Sequence, residues 1–410
     1  MDDLIAEHTP NGVEFRTLGD IARFVRGNGM PKTDLVDEGV GAIHYGQIYT
    51  RYGVWATETI SFVAPETAMK LAKAQPGDII ITNTSENVED VGKAVAWLGS
   101  EPIVTGGHAT VIQHDLAPKY LAYWFQSESF SVQKRALATG TKVIDVSARQ
   151  LAKVRLPVPP IEVQREIVGI LDKFTSLEAE LEAELEARRV QYEFYRDSLL
   201  TFPVDTPIAP LGELGTIFGG LTGKSKADFS GGNARYATYT NVFNNIALNT
   251  EADDFVRIGN DERQRSLAYG DVIFTGSSES LEEVGMTSVV TRQLAEPLYL
   301  NSFCIGFRMN DDSLLNPEFA KHLFRSGPLR AQIIKTANGV TRINVSKVRL
   351  AKILIPLPPT AEQERIARIL DQFEALTGDL HIGLPAEIAA RRKQYEHYRD
   401  RLLTFEEAAA

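Results

Sequence analysis

One stretch of the chain occurs twice, and it limits the possible folds more than any other feature. Both copies begin near a pair of prolines and continue into a long segment rich in charged residues, from Leu151 to Phe202 and again from Leu350 to Phe405. Their last fifteen residues, RRVQYEFYRDSLLTF and RRKQYEHYRDRLLTF, are identical at twelve positions. Such agreement indicates an internal duplication, so the fold must place the two copies in equivalent surroundings.

The first copy has the apolar spacing of a long helix. Apolar residues recur at steps of three and four from Ile167 to Leu185 and form a narrow stripe. Pro159 and Pro160 suit the first turn, where the missing N–H would be unpaired in any case. A helix over Glu162–Leu200 would be about 58 Å long at 1.5 Å per residue, and it could not bury its own stripe. We therefore predict that the two copies pair as an antiparallel coiled coil.

The second copy departs from this pattern. It is four residues longer than the first and contains Gly378, Gly383 and Pro385. Glycine and proline weaken or break a helix, because glycine is too flexible and proline lacks the backbone donor. We expect a kink or an interruption at this point.

The segments before the helices are also repeated. GDIIITNTSENVEDVG at 77–92 matches GDVIFTGSSESLEEVG at 270–285 in nine of sixteen positions, and ATGTKVIDVS at 138–147 matches ANGVTRINVS at 337–346. Buried strands are predicted at Ile79–Thr82 and Ala109–Gln113, and helices at Lys119–Ser127 and Ser129–Ala138. The predicted fold is α/β (α+β), with two pseudo-symmetric globular domains separated by two long antiparallel coiled-coil helices. The predicted divisions are globular regions at 1–150 and 204–349 and helical regions at 151–203 and 350–405.

Composition excludes several classes of protein. The single cysteine, Cys304, cannot form a disulfide framework or a cysteine-ligated metal cluster, and a reducing cytoplasm fits this usage. We find no apolar span or export leader, no phosphate-binding loop, no spacing of metal ligands and no adenine methyltransferase motif. We predict no catalytic residues, no metal site and no cofactor in this chain. The net charge of −11 argues against a uniformly basic surface, although the acids are clustered and leave room for local basic patches.

Polar and basic side chains in both halves suit contact with DNA. Amides pair with adenine, arginine pairs with guanine, and hydroxyl groups reach phosphate oxygens. A polar strand face is the alternative interpretation for the tyrosines and amides, and ordinary surface charge is the alternative for the two cations beside glycine turns. The serines of Ser85-Glu86 and Ser278-Glu279 are interpreted as capping or turn residues rather than nucleophiles. The candidate DNA-binding residues are Tyr45, Gln47, Tyr49, Arg51, Lys142, Tyr236, Tyr239, Asn241, Asn244 and Arg342.

Two variable α/β domains, each followed by an LPxPPxxxQxxI motif and a helix ending in RRxQYExYRDxLLTF, resemble the specificity subunit of type I restriction-modification systems. The resemblance covers nearly the whole chain. It implies that each domain is a target-recognition domain that reads one half of a split double-stranded DNA site. It also implies that the helices bind methyltransferase subunits, two of them by the internal symmetry, with restriction subunits as further possible partners. S-adenosylmethionine would then be bound by the methyltransferase, and adenine would be the modified base.

The repeated helix ends are the predicted surface for the methyltransferase. A competing hypothesis keeps the coiled coil but makes the chain a scaffold that joins two proteins and never contacts DNA. Packing between the two helices is the alternative role for the tyrosines. The candidate partner-binding residues are Arg188, Arg189, Tyr192, Tyr195, Arg391, Arg392, Tyr395 and Tyr398.

Overall fold

The computed structural model describes residues 9–377 and 383–409. Contacts divide the chain into two compact units, one comprising residues up to 182 together with 387 onward, and the other comprising residues 183–386. Each unit contains one α/β domain and helical segments from both repeated regions. The first unit therefore contains the first part of one repeated region and the last part of the other. The second unit contains the remaining parts of both.

Two five-stranded sheets form the domain of the first unit. The strand predicted at Ile79–Thr82 is confirmed and is buried at every residue. The strand predicted at Ala109–Gln113 is also confirmed, extends to His114 and pairs antiparallel with Ile79–Thr82. One sheet has the order Ala22–Arg26, Ala109–His114, Ile79–Thr82, Ala94–Trp97 and Trp55–Ala56, and the other has the order Leu35–Val36, Ser61–Val63, Val40–Ile43, Ile103–Thr105 and Ala72–Ala74.

Two helices contribute the largest side chains of the first core. The predicted helices are confirmed with shifted bounds, at Pro118–Trp124 and Glu128–Leu137. Tyr120, Trp124 and Phe130 are almost fully buried against the sheet, where large aromatic groups give the greatest apolar burial. Shorter elements are the strand pairs Phe15–Thr17 with Arg155–Pro157 and Thr84–Ser85 with Ile144–Asp145, the helices Leu18–Ile21, Tyr45–Thr50, Pro65–Ala68 and Ala148–Leu151, and the 3-10 turn Lys32–Asp34.

The second unit repeats this plan with shorter sheets. Its four-stranded main sheet has the same order as the first four strands of its five-stranded counterpart, which confirms the duplication predicted from the sequence. Phe274, Phe319 and Phe324 are fully buried in its core. The main sheet comprises Gly215–Gly219, Cys304–Met309, Val272–Thr275 and Thr287–Val289; the second comprises Phe255–Val256, Ala234–Ala237 and Leu298–Leu300. The remaining strands are Ile208–Pro210, Ser277–Ser278, Ala337–Asn338, Ile343–Val345 and Leu354–Pro356, and the helices are Leu211–Leu214, Tyr239–Asn244, Pro317–Leu323, Gly327–Lys335 and Lys347–Leu350, with a 3-10 turn at Lys226–Phe229.

The two repeated regions form helices of different continuity. The first is a single helix of 39 residues, Ile161–Leu199, within one residue of the predicted bounds. The second is interrupted as predicted, because one helix ends at Thr377 and the next begins at Leu384. Gly383 lies at the break with φ +83°, and an added Cβ there would be 2.6 Å from a backbone oxygen of Ala375. Gly378, also named in this prediction, lies outside the described residues. None of the described helices has the length and apolar character needed to cross a membrane.

The apolar stripe has two different roles along its length. Ile167 and Leu171 were predicted to form the seam between helices, but they are buried in the core of the first domain. Ile366 and Leu370 occupy the equivalent positions in the second core. The physical reason is that a globular domain supplies a wider apolar surface than a single helix does.

Helices pair with each other further along, within each unit. In the first unit Phe174 stacks on Tyr398 with ring centroids 5.6 Å apart, and Glu178 binds Arg392. Residue numbers increase on one helix while they decrease on the other, so the segments run antiparallel, as predicted. In the second unit Tyr195 stacks on Phe373 with ring centroids 5.4 Å apart.

A buried glutamine explains why the LPxPPxxxQ motif occurs twice. The Gln164 amide donates to the Pro159 carbonyl oxygen at 2.8 Å and accepts from the Ala117 N–H at 2.9 Å, where the helix Pro118–Trp124 begins. Gln363 donates to Pro358 at 2.8 Å and accepts from the Asn316 N–H at 2.8 Å in the same way. Each glutamine therefore joins the start of a long helix to the start of a domain helix.

Replacing Gln363 by leucine is expected to destabilise the second unit by about 2–3 kcal/mol. The substitution leaves the Asn316 N–H and two carbonyl oxygens without their partner in a site where Gln363 is 1% exposed. Chemical denaturation of the full chain measures the change. Gln293→Leu, at an exposed glutamine of the same unit, is the control and should shift stability by less than about 0.5 kcal/mol. Equal effects of the two substitutions would contradict the proposed role of Gln363 in joining the two helix starts.

Candidate nucleic-acid interface

A short helix in each domain begins with a tyrosine that was predicted to contact DNA. Tyr45 follows the strand Val40–Ile43, and Tyr239 follows the strand Ala234–Ala237. The preceding residues cap both helices, since the Gly46 N–H donates to His44 Nδ1 and the Asn241 N–H donates to Thr238 Oγ1, each at 3.2 Å. Tyr45 and Tyr239 therefore occupy equivalent positions.

The aromatic residue one helical turn later lies next to each tyrosine. The ring centroids of Tyr45 and Tyr49 are 6.4 Å apart, and those of Tyr239 and Phe243 are 6.2 Å apart. Burial raises the pKa of the Tyr49 and Tyr239 hydroxyls, so both remain protonated and able to donate. The Tyr239 hydroxyl already donates to the Ser277 carbonyl oxygen at 2.8 Å.

The two predicted cations follow equivalent glycine turns. Gly140 and Gly339 have φ values of +103° and +127°, and a Cβ on either would lie 2.0 Å from a carbonyl oxygen, so these turns require glycine. Both cations are exposed; Lys142 lies two residues before the strand that pairs with Thr84–Ser85, and Arg342 lies directly before the strand that pairs with Ser277–Ser278. Arg342 Nη2 donates to Ser277 Oγ at 3.2 Å.

The serines repeated in both halves, Ser85 and Ser278, lie in these strand pairs and have structural roles. Ser85 is buried in its strand, and its backbone pairs with Ile144. Ser278 Oγ accepts from the Ser280 N–H at 3.2 Å, which is the turn role expected from the sequence. These structural roles explain why a serine occurs at this position in both halves. Neither serine has to act as a nucleophile.

One equivalent position in each domain was missed by the sequence analysis. His108 and Phe303 precede the equivalent central strands, and their carbonyl oxygens accept from the N–H groups of Asn83 and Gly276 at 2.9 and 2.8 Å. The rings differ in chemistry, and the flanking sequences GGHATV and NSFCIG share no obvious motif. The only available signal was their position directly before a predicted strand in both halves.

Two of the predicted amides are engaged inside the protein. Asn241 is 8% exposed, donates to the Asn249 carbonyl oxygen and accepts from the Asn249 N–H, so its amide already has partners inside the domain, and base contact by Asn241 stays a prediction. Gln47 donates to Ser61 Oγ at 2.6 Å and accepts from the His44 N–H, which leaves it little capacity for another partner. Side-chain amides with such hydrogen bonds stabilise the local backbone, which explains their presence in these short helices even without a contact to DNA.

The other candidates are distributed around the same short helices. Arg51 and Asn244 are exposed at the C-terminal ends of these helices. Tyr236 is half-buried on a strand, with its ring centroid 4.9 Å from that of Phe229. The structure therefore groups a tyrosine, a strand-end serine or threonine and a loop ring in each domain. In the second domain the cation Arg342 contacts this group, and Tyr236 lies on the neighbouring strand.

The partner-binding candidates on the helices divide into two groups. Tyr192 donates to or accepts from His322 Nδ1 at 3.0 Å, and the Tyr395 hydroxyl donates to Gln126 at 2.9 Å, so both tyrosines join helix to domain. Arg188 and Arg391 make matching contacts on their own helices and remain half-exposed. Packing inside a unit thus accounts for Tyr192, Tyr195, Arg392, Tyr395 and Tyr398, whereas Arg188, Arg189 and Arg391 keep surface available for a partner.

The contact between each domain and its helix contains partly buried charges that differ between units. In the first, Asp172 accepts from Lys119 at 2.7 Å and from the Tyr123 hydroxyl at 2.8 Å. In the second, Asp371 contacts Lys321 at 2.8 Å and His322 Nε2 at 2.7 Å, with Glu374 nearby. His322, Asp371 and Glu374 are close enough to share a metal ion, but a lysine ammonium already occupies this cluster and both ring nitrogens of His322 have partners. The arrangement acts as an ion-pair network.

Glu374 should make the stability of the second unit depend on pH. Burial raises its pKa from 4.5 to about 7, so its contribution to stability is complete below pH 4.5 and is lost as pH rises through 7. His322 acts in the opposite direction, because burial lowers its pKa. We expect Glu374→Gln to raise the melting temperature relative to wild type more at pH 8 than at pH 5.5. An exposed control, Glu296→Gln, should show no such difference; an effect of Glu374→Gln that is the same at both pH values would contradict the assignment.

Comparisons with known proteins agree with this duplicated architecture. The family model described as type I restriction modification DNA specificity domain matches residues 10–187 and again residues 203–390. A type I restriction enzyme specificity subunit from Escherichia coli is 30% identical over 297 residues, covering 70% of each chain. A putative type I restriction enzyme specificity subunit from Haemophilus influenzae is 30% identical over 281 residues, covering 65% of this chain and 68% of the relative.

A solved structure shares the fold over nearly the whole length. It comes from work on complex assembly and conformational transition of the type I R-M system, and it aligns with a TM-score of 0.65 at 18% identity over 96% of this chain and 97% of the other. The resemblance stated from the sequence is confirmed, with the matched model present once in each half. The chain belongs to the type I restriction modification DNA specificity family, whose members are non-catalytic subunits, and it carries two copies of the specificity domain.

Proposed function

We propose that this chain is the sequence-specific DNA-binding subunit of a type I restriction-modification methyltransferase. Residues 1–150 and 204–349 each read one half of a bipartite double-stranded site. The observation that carries the proposal is the pair of equivalent faces, built on the same turns and strand ends but bearing different side chains. A shared scaffold with different contact residues is what two half-sites of different sequence require.

The helical regions, residues 151–203 and 350–405, bind the methyltransferase subunits, one for each repeated helix end. The methyltransferase supplies S-adenosylmethionine chemistry and modifies adenine, and restriction subunits join through it where the system has them. Arg188 and Arg391 support this arrangement, because they hold equivalent half-exposed positions that internal packing does not require.

Binding experiments distinguish this proposal from a scaffold without DNA contact. Gel shifts with the chain and its methyltransferase on DNA carrying the methylated motif should show tight binding that weakens steeply as salt is raised, because phosphate contacts release counterions. Scrambling either half of the motif should weaken binding by at least about 100-fold. Equal binding to motif and scrambled DNA, with the protein complex intact, would favour the scaffold.

A further inference from the structure

One loop position in each domain presents an exposed ring directly before the central strand of the main sheet. His108 and Phe303 are fixed by equivalent backbone hydrogen bonds to the end of the central strand, so their Cα atoms belong to the same place in the duplicated fold. His108 is exposed, and Phe303 is 55% exposed. The scaffold is therefore held constant while the chemistry of the ring changes between domains.

Phe303 is an exposed apolar ring next to an arginine. The Arg342 guanidinium carbon lies 5.4 Å from its ring centroid, and the same guanidinium donates to Ser277. These contacts restrict the ring while leaving more than half of it open to solvent. An exposed phenylalanine beside an arginine suits a DNA groove, where the ring contacts a thymine methyl group and the arginine reaches the backbone.

His108 provides polar chemistry at the equivalent position. Its Nδ1 forms a hydrogen bond of 2.9 Å with Thr84 Oγ1, and its ring centroid lies 4.9 Å from that of Tyr45. These two contacts fix the ring and leave Nε2 as the nitrogen for an outside partner. An imidazole nitrogen held this way can form a hydrogen bond with a base edge.

We propose that His108 and Phe303 are specificity-determining residues, each selecting the base at one position of its own half-site. Phe303 selects thymine through its methyl group, and His108 selects a base through a hydrogen bond from or to Nε2. The inference rests on the proposed function and deepens it, because it assigns the difference between the half-sites to one structurally equivalent position.

Reciprocal substitutions test the assignment in the complete complex. His108→Phe and Phe303→His are each assembled with the methyltransferase, supplied with S-adenosylmethionine and a randomised duplex library, and the methylated bases are mapped by sequencing. Each variant should change the preference at one position by about tenfold or more, in one half-site only, and the two variants should affect opposite half-sites. Thermal melts confirm folding, and Phe303→Leu, which keeps an apolar group but removes the flat ring, provides a second variant with the same expected half-site.

Phe255→His is the matched control, because Phe255 is also a partly exposed phenylalanine with an arginine, Arg235, over its ring at 5.7 Å. It should leave the motif unchanged. Wild-type preferences in folded His108 and Phe303 variants, or changes in both half-sites from one substitution, would overturn the inference. A wild-type complex that yields no bipartite motif would overturn the proposed function itself, which separates the two failures.

Discussion

Replacing residues 204–349 with the corresponding domain of another specificity subunit is expected to exchange one half-site completely and leave the other unchanged. The physical reason is that the second unit has its own core, in which Phe274, Phe319 and Phe324 are fully buried, and its own copy of the contact face. A domain with an independent core can be exchanged without altering the base contacts of the first unit. Mapping the methylated motif before and after exchange measures the result.

The exchange tests independent reading only if the boundaries of the exchanged domain preserve its contacts with the helices. The chimera should retain Gln363, whose amide joins the start of the helix Thr360–Thr377 to the Asn316 N–H, so the donor domain must supply the same backbone position. A control chimera that exchanges residues 1–150 should alter only the other half-site. A folded, active chimera that changes both half-sites would contradict independent reading.

Reversing the charge of Arg188 and Arg391 together is expected to abolish co-purification with the methyltransferase. Their side chains are 42% and 41% exposed and pair with acids one turn away on their own helices. Such exposed pairs contribute only about 0.3–0.5 kcal/mol to folding, so the chain should melt at nearly its normal temperature. The loss of two interface cations should weaken binding to the methyltransferase by far more than this contribution to folding.

Arg165→Glu is the control for this double substitution, since Arg165 is an exposed arginine on the same long helix as Arg188 but lies before the fifteen-residue repeated end, Arg188–Phe202. It should leave recovery of the methyltransferase unchanged. Undiminished recovery with the Arg188→Glu, Arg391→Glu variant would place the docking surface elsewhere. Tyr192 and Tyr395 are unsuitable for the experiment, because each joins a helix to its own domain and its loss would disturb folding.

Local patterns were sufficient to predict the regular elements. Ile79–Thr82 is a continuous apolar run and proved to be a fully buried strand, and the stripe from Ile167 onward predicted the long helix to within one residue. Gly383 and Pro385 likewise marked the break in the second repeated region. These features depend on the backbone preferences of adjacent residues, which the sequence displays directly.

Features that depend on distant partners could not be predicted in this way. Ile167 and Leu171 lie on a stripe that fits either a helix or a domain surface, and only the fold shows that the domain covers them. Asn241 has an amide side chain of the kind that reads bases. Its partner Asn249 lies eight positions away in a loop with no recognisable motif, so the sequence did not show that the amide is engaged. The equivalence of His108 and Phe303 was hidden because a backbone hydrogen bond defines it, and the side chains differ.

The central claim is that two similar domains in one chain read two separate stretches of DNA. The most direct measurement is a map of the methylated bases in the genome of cells that carry this chain and its methyltransferase, compared with cells in which the chain is deleted. The account predicts one motif made of two specified segments with an unread spacer of constant length between them, absent from the deletion strain. A continuous motif with no unread spacer, or a methylation pattern that is unchanged when the chain is deleted, would contradict it.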